Sequence, residues 1–326
     1  MKRVLIVAAG LGLILALAII ASEGFGAVTR AFAAVGYGLA IVTVIRIAEL
    51  AGAGWGWWII FPHGTRATLR QCVWVRMIRE AINVLLPVAQ VGGEIAGARL
   101  MTIFGIPAAL SGASVLVDIF LQVVSLFLFT LTGIALFAVD GADNAQLGPI
   151  LLGAAIMGLA LAGFFLAQRF GGAKLLDRGL MMLADRFGWS GLANLASLHD
   201  NLVRIYADVP RLLLAMLVHI AVWFTGALEV LVALHLMGYP VSFTDAVVIE
   251  SLGQAVRAAA FLVPGALGVQ EVGFIAICSA FGIPAPAALA LSLVKRVPEL
   301  IIGPPFLFAW HAHEAKALAR RKEIQP

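Results

Sequence analysis

Residues 85–107 read LLPVAQVGGEIAGARLMTIFGIP, and residues 262–284 read LVPGALGVQEVGFIAICSAFGIP. A single offset of 177 residues aligns Pro87 with Pro264, Glu94 with Glu271, and Phe104-Gly105-Ile106-Pro107 with Phe281-Gly282-Ile283-Pro284. Carried without gaps over 85–117 and 262–294, the alignment gives 12 identities in 33 positions. Chance in so apolar a chain gives roughly three. The segment is present twice. In a membrane protein such a duplication points to a transporter built from two related halves, with its working site where they meet.

Composition supports the membrane premise. Hydrophobic residues make up 62% of the 326 and charged residues 12%, against roughly 25% charged in ordinary soluble domains. Several apolar runs reach the ~20 residues needed to cross a bilayer as helix. The run Val4–Ala21 reads as an uncleaved first helix rather than a signal peptide, since no small-residue cleavage site follows it. Further runs lie at about 37–61, 107–139, 147–170, 212–237 and 284–310. Two shorter, proline-stopped pieces, Val73–Pro87 and Phe243–Pro264, are too charged or too short to face lipid.

Charge placement sets the expected topology. Lys2, Arg3, Arg66, Arg70, Arg169, Lys174, Arg178, Arg186, Arg204, Lys316, Arg320, Arg321 and Lys322 fall on one side under the positive-inside rule. Glu23, Arg30, Asp140, Asp143 and Asp245 then fall on the other. This division requires 73–107 to dip in from the cytoplasm and return, and 243–284 to do so from the far face. The expected fold is therefore all-α and polytopic, a single membrane domain with two inverted repeats. Each repeat is a spanning helix, a re-entrant hairpin and a spanning helix, at about 37–139 and 211–310. The stretch from about 171 to 210 reads as an amphipathic interfacial linker, and 311–326 as a basic tail. Both termini are expected to be cytoplasmic.

Both tips place proline and glycine ahead of a glutamate and an apolar helical run: Pro87, Gly92, Gly93 and Glu94 in the first, Pro264, Gly265, Gly268 and Glu271 in the second. A half-helix beginning inside the bilayer aims unpaired N–H groups and a positive dipole end into the protein, a setting suited to phosphate or carboxylate. Glu94 and Glu271 either cap those first turns or serve as protonatable gates or counter-ions.

Beyond the first tip, Ser111, Ser114, Asp118, Gln122 and Ser125 lie on one helical stripe. Beyond the second lie Ser292, Lys295 and Glu299. The offset superimposes Asp118 on Lys295 and Gln122 on Glu299. A charge at the bilayer centre costs ~3 kcal/mol or more on insertion scales, so the stripe is expected to face a polar interior. An Asp118–Lys295 ion pair is the sharpest structural expectation, against separate satisfaction of each by neighbours. Arg46 and Glu49 can neutralise one another. Arg76, Arg79, Arg257 and Arg296 are candidates for bidentate contact with a phosphate, with Arg76 alternatively snorkelling at the interface.

Other signals are weak or exclude. Trp55, Trp57, Trp58, Trp74, Trp189 and Trp310 read as interfacial belts. The six histidines offer no metal-ligand spacing apart from His311 and His313 in the tail, so no metal is expected. Cys72 and Cys278 form no pairing pattern. No nucleophile elbow, phosphate-binding loop or dinucleotide fingerprint occurs, so no catalysis and no cofactor are expected. The net charge of +4 is a topology signal, not a nucleic-acid footprint.

The two tips resemble the signatures of the lysylphosphatidylglycerol synthase transmembrane region, also called the flippase-like domain family. The second, residues 262–271, resembles the family's Pro-Gly-Gly-Leu-Gly…Glu motif, with Ala266 in place of the second glycine. The first resembles its Asn…Pro…Gly-Gly-Glu…Arg motif through Asn83, Pro87, Gly92, Gly93, Glu94 and Arg99. Size and pattern are similar to the branch found beside hopanoid biosynthesis. The resemblance covers nearly the whole chain. It implies movement of lipids or lipid-linked headgroups between leaflets of a bacterial inner membrane, with membrane lipids as partners and lipid-biosynthesis enzymes or a second copy as further ones. It does not imply synthase activity, since aminoacyl transfer in two-domain members belongs to a soluble C-terminal domain, and only sixteen residues follow Trp310. Two rival classes remain: a secondary transporter of a small anion, and a non-transporting scaffold for lipid-synthesis enzymes.

Overall fold

The computed structural model describes residues 25–86, 88, 91–139, 163, 195–260 and 263–324. The expected helices at Val4–Ala21 and 147–170, the break at Pro87 and the linker before residue 195 lie outside these. Among the described residues there are ten α-helices, a single turn of 3-10 helix and no strand. They are α1 Phe25–Val35, α2 Gly38–Ile59, α3 Leu69–Leu85, α4 Gly92–Ile103, α5 Ala108–Val139, α6 Leu195–Ala207, α7 Val209–Leu236, α8 Phe243–Ala259, α9 Val269–Ser279 and α10 Ala285–Ile324, with the 3-10 turn at Pro264–Ala266.

Three helices, α2, α5 and α7, are long and apolar enough to span a bilayer. The burial pattern is that of a membrane protein. Leu213, Leu217, Leu300 and Phe308 are exposed to 61–78%, whereas Arg79, Asp118, Glu229, Glu250 and Glu271 are buried. Apolar side chains outside and charges inside match a solvent of hydrocarbon, where polar groups must find partners within the protein.

Element boundaries recur at the 177-residue offset. Helices α4 and α9 begin at positions 92 and 269, and α5 and α10 at 108 and 285. Between each pair the chain turns through a left-handed glycine, Gly105 (φ +88°) and Gly282 (φ +67°). At each turn the residue after that glycine closes the same C-terminal bond: Ile106 N donates to Met101 O at 3.0 Å, and Ile283 N to Cys278 O at 3.1 Å. Helices α3 and α8 both open on capping boxes, Thr68 with Gln71 and Ser242 with Asp245.

Helices α3 and α4 form a hairpin, as do α8 and α9. Gly93 packs on the Arg79 carbonyl and Asn83, and Gly97 on the Arg79 side chain, so the two arms run antiparallel. A Cβ on Gly93 would lie 2.2 Å from Arg79 O, which excludes any other residue there. In the second hairpin Gly273 packs on Val256 and Gly253 on Phe274. The tips converge: a side chain on Gly265 would begin 3.9 Å from Val84 O at the end of α3.

The segment 311–324 continues α10 as helix, with Pro298, Pro304 and Pro305 earlier in it. One expectation changes. Trp57 is fully buried rather than interfacial; its ring lies 4.8 Å beneath the Arg79 guanidinium and its indole N–H donates to Ser114 Oγ at 3.2 Å. Helix α6 is amphipathic, as expected of that part of the linker, burying Leu198, Leu202 and Ile205.

Candidate functional site: a polar cavity at the meeting of the hairpins

A cavity of about 1060 Å³ opens between the hairpin tips and helices α2, α5 and α7. Its polar lining comes from Arg46 and Glu49 on α2, Arg76, Glu80 and Asn83 on α3, Glu94 on α4, Gln122 on α5, His219 on α7, and Glu250, Gln254 and Arg257 on α8. Ile119, Val123, Leu126, Val222 and Trp223 supply an apolar wall. The volume is at the upper end for a small-molecule pocket, and the mixed lining suits an amphiphile.

Four ion-pair groups surround it. In the first, Arg79, wholly buried, donates to Asp118 Oδ2 at 2.7 Å and pairs with Glu94. Asn83 links the tip to this group: its Nδ2 donates to Glu94 Oε1 at 3.2 Å, and its Oδ1 accepts from Gly93 N at 2.8 Å. Gln122 Nε2 donates to Asp118 Oδ2 at 2.7 Å, and His219 Nε2 stands 3.3 Å from Asp118 Oδ1.

In the second, Glu271 accepts from the backbone N–H of Gly268 at 2.7 Å, from Ser292 Oγ at 3.2 Å and from Arg296 Nε at 2.9 Å. Arg296 Nη1 also donates to Gly265 O at 2.8 Å, tying the tip to α10. The third is centred on Lys295, whose Nζ donates to Glu229 Oε2 at 2.6 Å and lies 3.0 Å from Glu250 Oε2. The fourth joins Arg46 to Glu49 (2.9 Å) and Glu80 (2.6 Å), and Arg257 to Glu299 (2.6 Å).

The expected Asp118–Lys295 pair is not made. Asp118 meets Arg79 from the hairpin beside it, and Lys295 meets carboxylates on α7 and α8. The offset relates the two positions in sequence, but each helix packs against nearer charges of its own surroundings. Glu94 and Glu271 are both matched by arginine, from non-equivalent places: Arg79 precedes Glu94 on its own hairpin, and Arg296 follows Glu271 on the next helix.

The arginines divide in the same way. Arg79 and Arg296 are consumed by internal pairs and do not line the cavity. Arg257 and Arg76 do. Among the described residues Arg76 is the least engaged: its one ion pair, to Glu80, is 3.5 Å long, and its buried Nε has no hydrogen-bond partner. Gly93 N and Gly268 N, at the starts of α4 and α9, already donate to side chains and are not open to a phosphate. Of the other candidates, Asn83, Glu94 and Gly265 border the cavity; Gly92, Gly268, Asp118, Lys295 and Glu299 are not among its lining residues. Arg99 makes a bidentate pair with Glu314 of α10 (2.6 and 2.8 Å) outside the cavity. Pro264 begins the 3-10 turn at the second tip.

Sequence reasoning passed over Glu229, Glu250, Gln254 and His219. Glu229 within the apolar α7 carried a usable signal, since an ionisable residue inside a spanning helix has a partner or a function by default. Glu250 lay in a segment read for its hairpin, its terminal proline, Asp245 and Arg257, but not for its own carboxylate.

An all-helical membrane protein with convergent helical hairpins and a charged internal cavity is the class these observations define. The family model described as lysylphosphatidylglycerol synthase TM region matches residues 4–303, and the chain belongs to that family. It is thus an integral membrane protein of a family concerned with lipid handling. No match to the chain was found among curated proteins or solved structures.

Proposed function

We propose that this protein moves a lipid between leaflets of the bacterial inner membrane, acting as a flippase and not as an enzyme. The headgroup enters the cavity between the hairpin tips while the apolar tails stay in lipid. Arg76 and Arg257 receive its phosphate, and Glu49, Glu94 and Glu250 face any cationic part of the headgroup. The observation that carries the reading is a cavity of headgroup size bordered by Arg76, whose ion pair to Glu80 is 3.5 Å long. A guanidinium so loosely paired gains a charge-assisted hydrogen bond from a ligand oxygen.

The recurrence of helix boundaries at one offset supports two related halves, and the charge placement supports their opposite orientation, so that they rock about the tips as in alternating-access transporters. The positive-inside count supports cytoplasmic termini. Membrane lipids are the partners, and enzymes that make the transported lipid are the expected neighbours. Exchange of headgroup-labelled anionic, aminoacylated and hopanoid-type lipids in proteoliposomes tests the proposal. Acceleration of one class, reduced in Arg76→Gln protein that elutes as wild type, is the expected result. Folded protein that accelerates none refutes it, and solute counterflow without lipid movement moves the assignment to an anion transporter.

A further inference from the structure

We infer that the Glu49–Glu229–Glu250 cluster around Lys295 holds one exchangeable proton. Three observations meet there. The first is a charge excess. Among the described residues, Lys295 faces Glu229 and Glu250, Arg46 faces Glu49 and Glu80, and Arg257 faces Glu299. Arg76, on Glu80, is the fourth cation. Five carboxylates are matched by four cations, so one negative charge has no counter-ion.

The second is a set of unpartnered atoms. Glu49, Glu229 and Glu250 are 6%, 1% and 2% exposed. Glu49 Oε1 and Glu229 Oε1 have no hydrogen-bond partner, although the other oxygen of each carboxylate is bound to Arg46 or Lys295. The third is their direction. A Cβ on Gly226 would lie 3.1 Å from Glu250 Oε1 and 3.2 Å from Glu49 Oε1, so carboxylates from α2 and α8 converge over the one residue of α7 that has no side chain. Glu229 follows three residues later on the same face of α7.

A carboxylate buried without a counter-ion is neutralised rather than kept ionised, and a proton on one of these oxygens also supplies the missing donor. Glu49, Glu250 and Gly226 border the cavity, so the proton comes from cavity water and returns to it. The neighbouring Arg79 group, with Glu94, Asp118 and His219 Nε2 at 3.3 Å from Asp118 Oδ1, is made of different residues from the glutamate cluster. Occupancy by the proton does not depend on the flippase reading; its use to drive lipid movement does.

Infrared spectra of the full-length protein in lipid nanodiscs at neutral pH test this. Wild type is expected to show the C=O stretch of a protonated carboxylic acid, shifting in heavy water, and the band is expected to be lost when a neutral amide replaces an acid in E49Q, E229Q or E250Q. The wild-type spectrum decides whether any carboxylic acid is protonated, even where a variant does not fold, and the three variants give independent routes to its place. Absence of the band in wild type overturns the inference. So does a band that survives all three substitutions, or one that is lost only in D118N. So does stabilisation by sodium in place of a protonated band. Flippase activity without the band, or the band without activity, separates this inference from the reading above.

Discussion

Arg79 Nη1 donates to Asp118 Oδ2 at 2.7 Å, and neither side chain is reached by solvent. The same guanidinium pairs with Glu94 and covers the face of Trp57, so one residue fastens α3 to α2, α4 and α5. Breaking a buried pair by removing one partner strands the other charge and costs about 3–5 kcal/mol. Asp118→Ala and Arg79→Met are each expected to lower the thermal stability of the detergent-solubilised protein by an amount in that range. Arg79→Lys is expected to rescue little, because an ammonium cannot reproduce the fork that serves both carboxylates.

Coupling energies distinguish the pairing found from the pairing expected. A double-mutant cycle between Arg79 and Asp118 is expected to give an interaction of about 0.5–3 kcal/mol, whereas one between Asp118 and Lys295 is expected to be additive to within ~0.5 kcal/mol. Chemical unfolding of the four proteins in each cycle measures both.

At the second tip three residues within four carry positive φ: Gly265 at +61°, Ala266 at +50° and Gly268 at +78°. An alanine in the left-handed region costs about 1–2 kcal/mol, partly offset by the lower entropy of its unfolded chain. Ala266→Gly is therefore expected to be neutral or stabilising by no more than ~1 kcal/mol. Gly268, at φ +78° and ψ −43°, lies outside the left-handed helical well, so Gly268→Ala is expected to be the more damaging change. Its N–H also caps α9 through Glu271. Thermal unfolding of the two variants side by side checks the order.

The helix plan was legible because it rests on local signals. Apolar run length and proline punctuation placed α2, α5 and α7 within a few residues, and the offset matched α4 with α9. The partners of the charged residues were not legible. A hydrogen bond spans about 3 Å, and which acid reaches Lys295 is decided by how closely α7 and α8 approach each other and α10, a matter of small residues such as Gly226, which lies against Glu250 and Glu49. The periodicity that put Asp118 on an inward stripe names a face, not a neighbour. Arg76 shows the same limit in reverse: as one of four similar arginines in sequence, it stands apart only once Arg79 and Arg296 are seen to be spent on internal pairs and Arg257 to hold Glu299 at 2.6 Å.

Arg76 is expected to matter for transport more than for folding. Its ion pair to Glu80 is long, so little is lost in the empty protein, whereas a charge-assisted bond to a phosphate contributes about 1.5–3 kcal/mol. Arg76→Gln is expected to slow leaflet exchange by roughly ten- to hundredfold with the unfolding temperature nearly unchanged. Arg79→Met should lose both together, and a stopped-flow exchange assay paired with a melting curve reads the contrast.

The most direct measurement is the rate of leaflet exchange of headgroup-labelled phospholipid in liposomes containing wild-type or Arg76→Gln protein, with matched protein density. Faster exchange than in empty liposomes, falling towards that baseline in the variant, is the result this account predicts. Wild-type protein, folded and inserted, that leaves the exchange of every lipid class at the empty-liposome rate would contradict it.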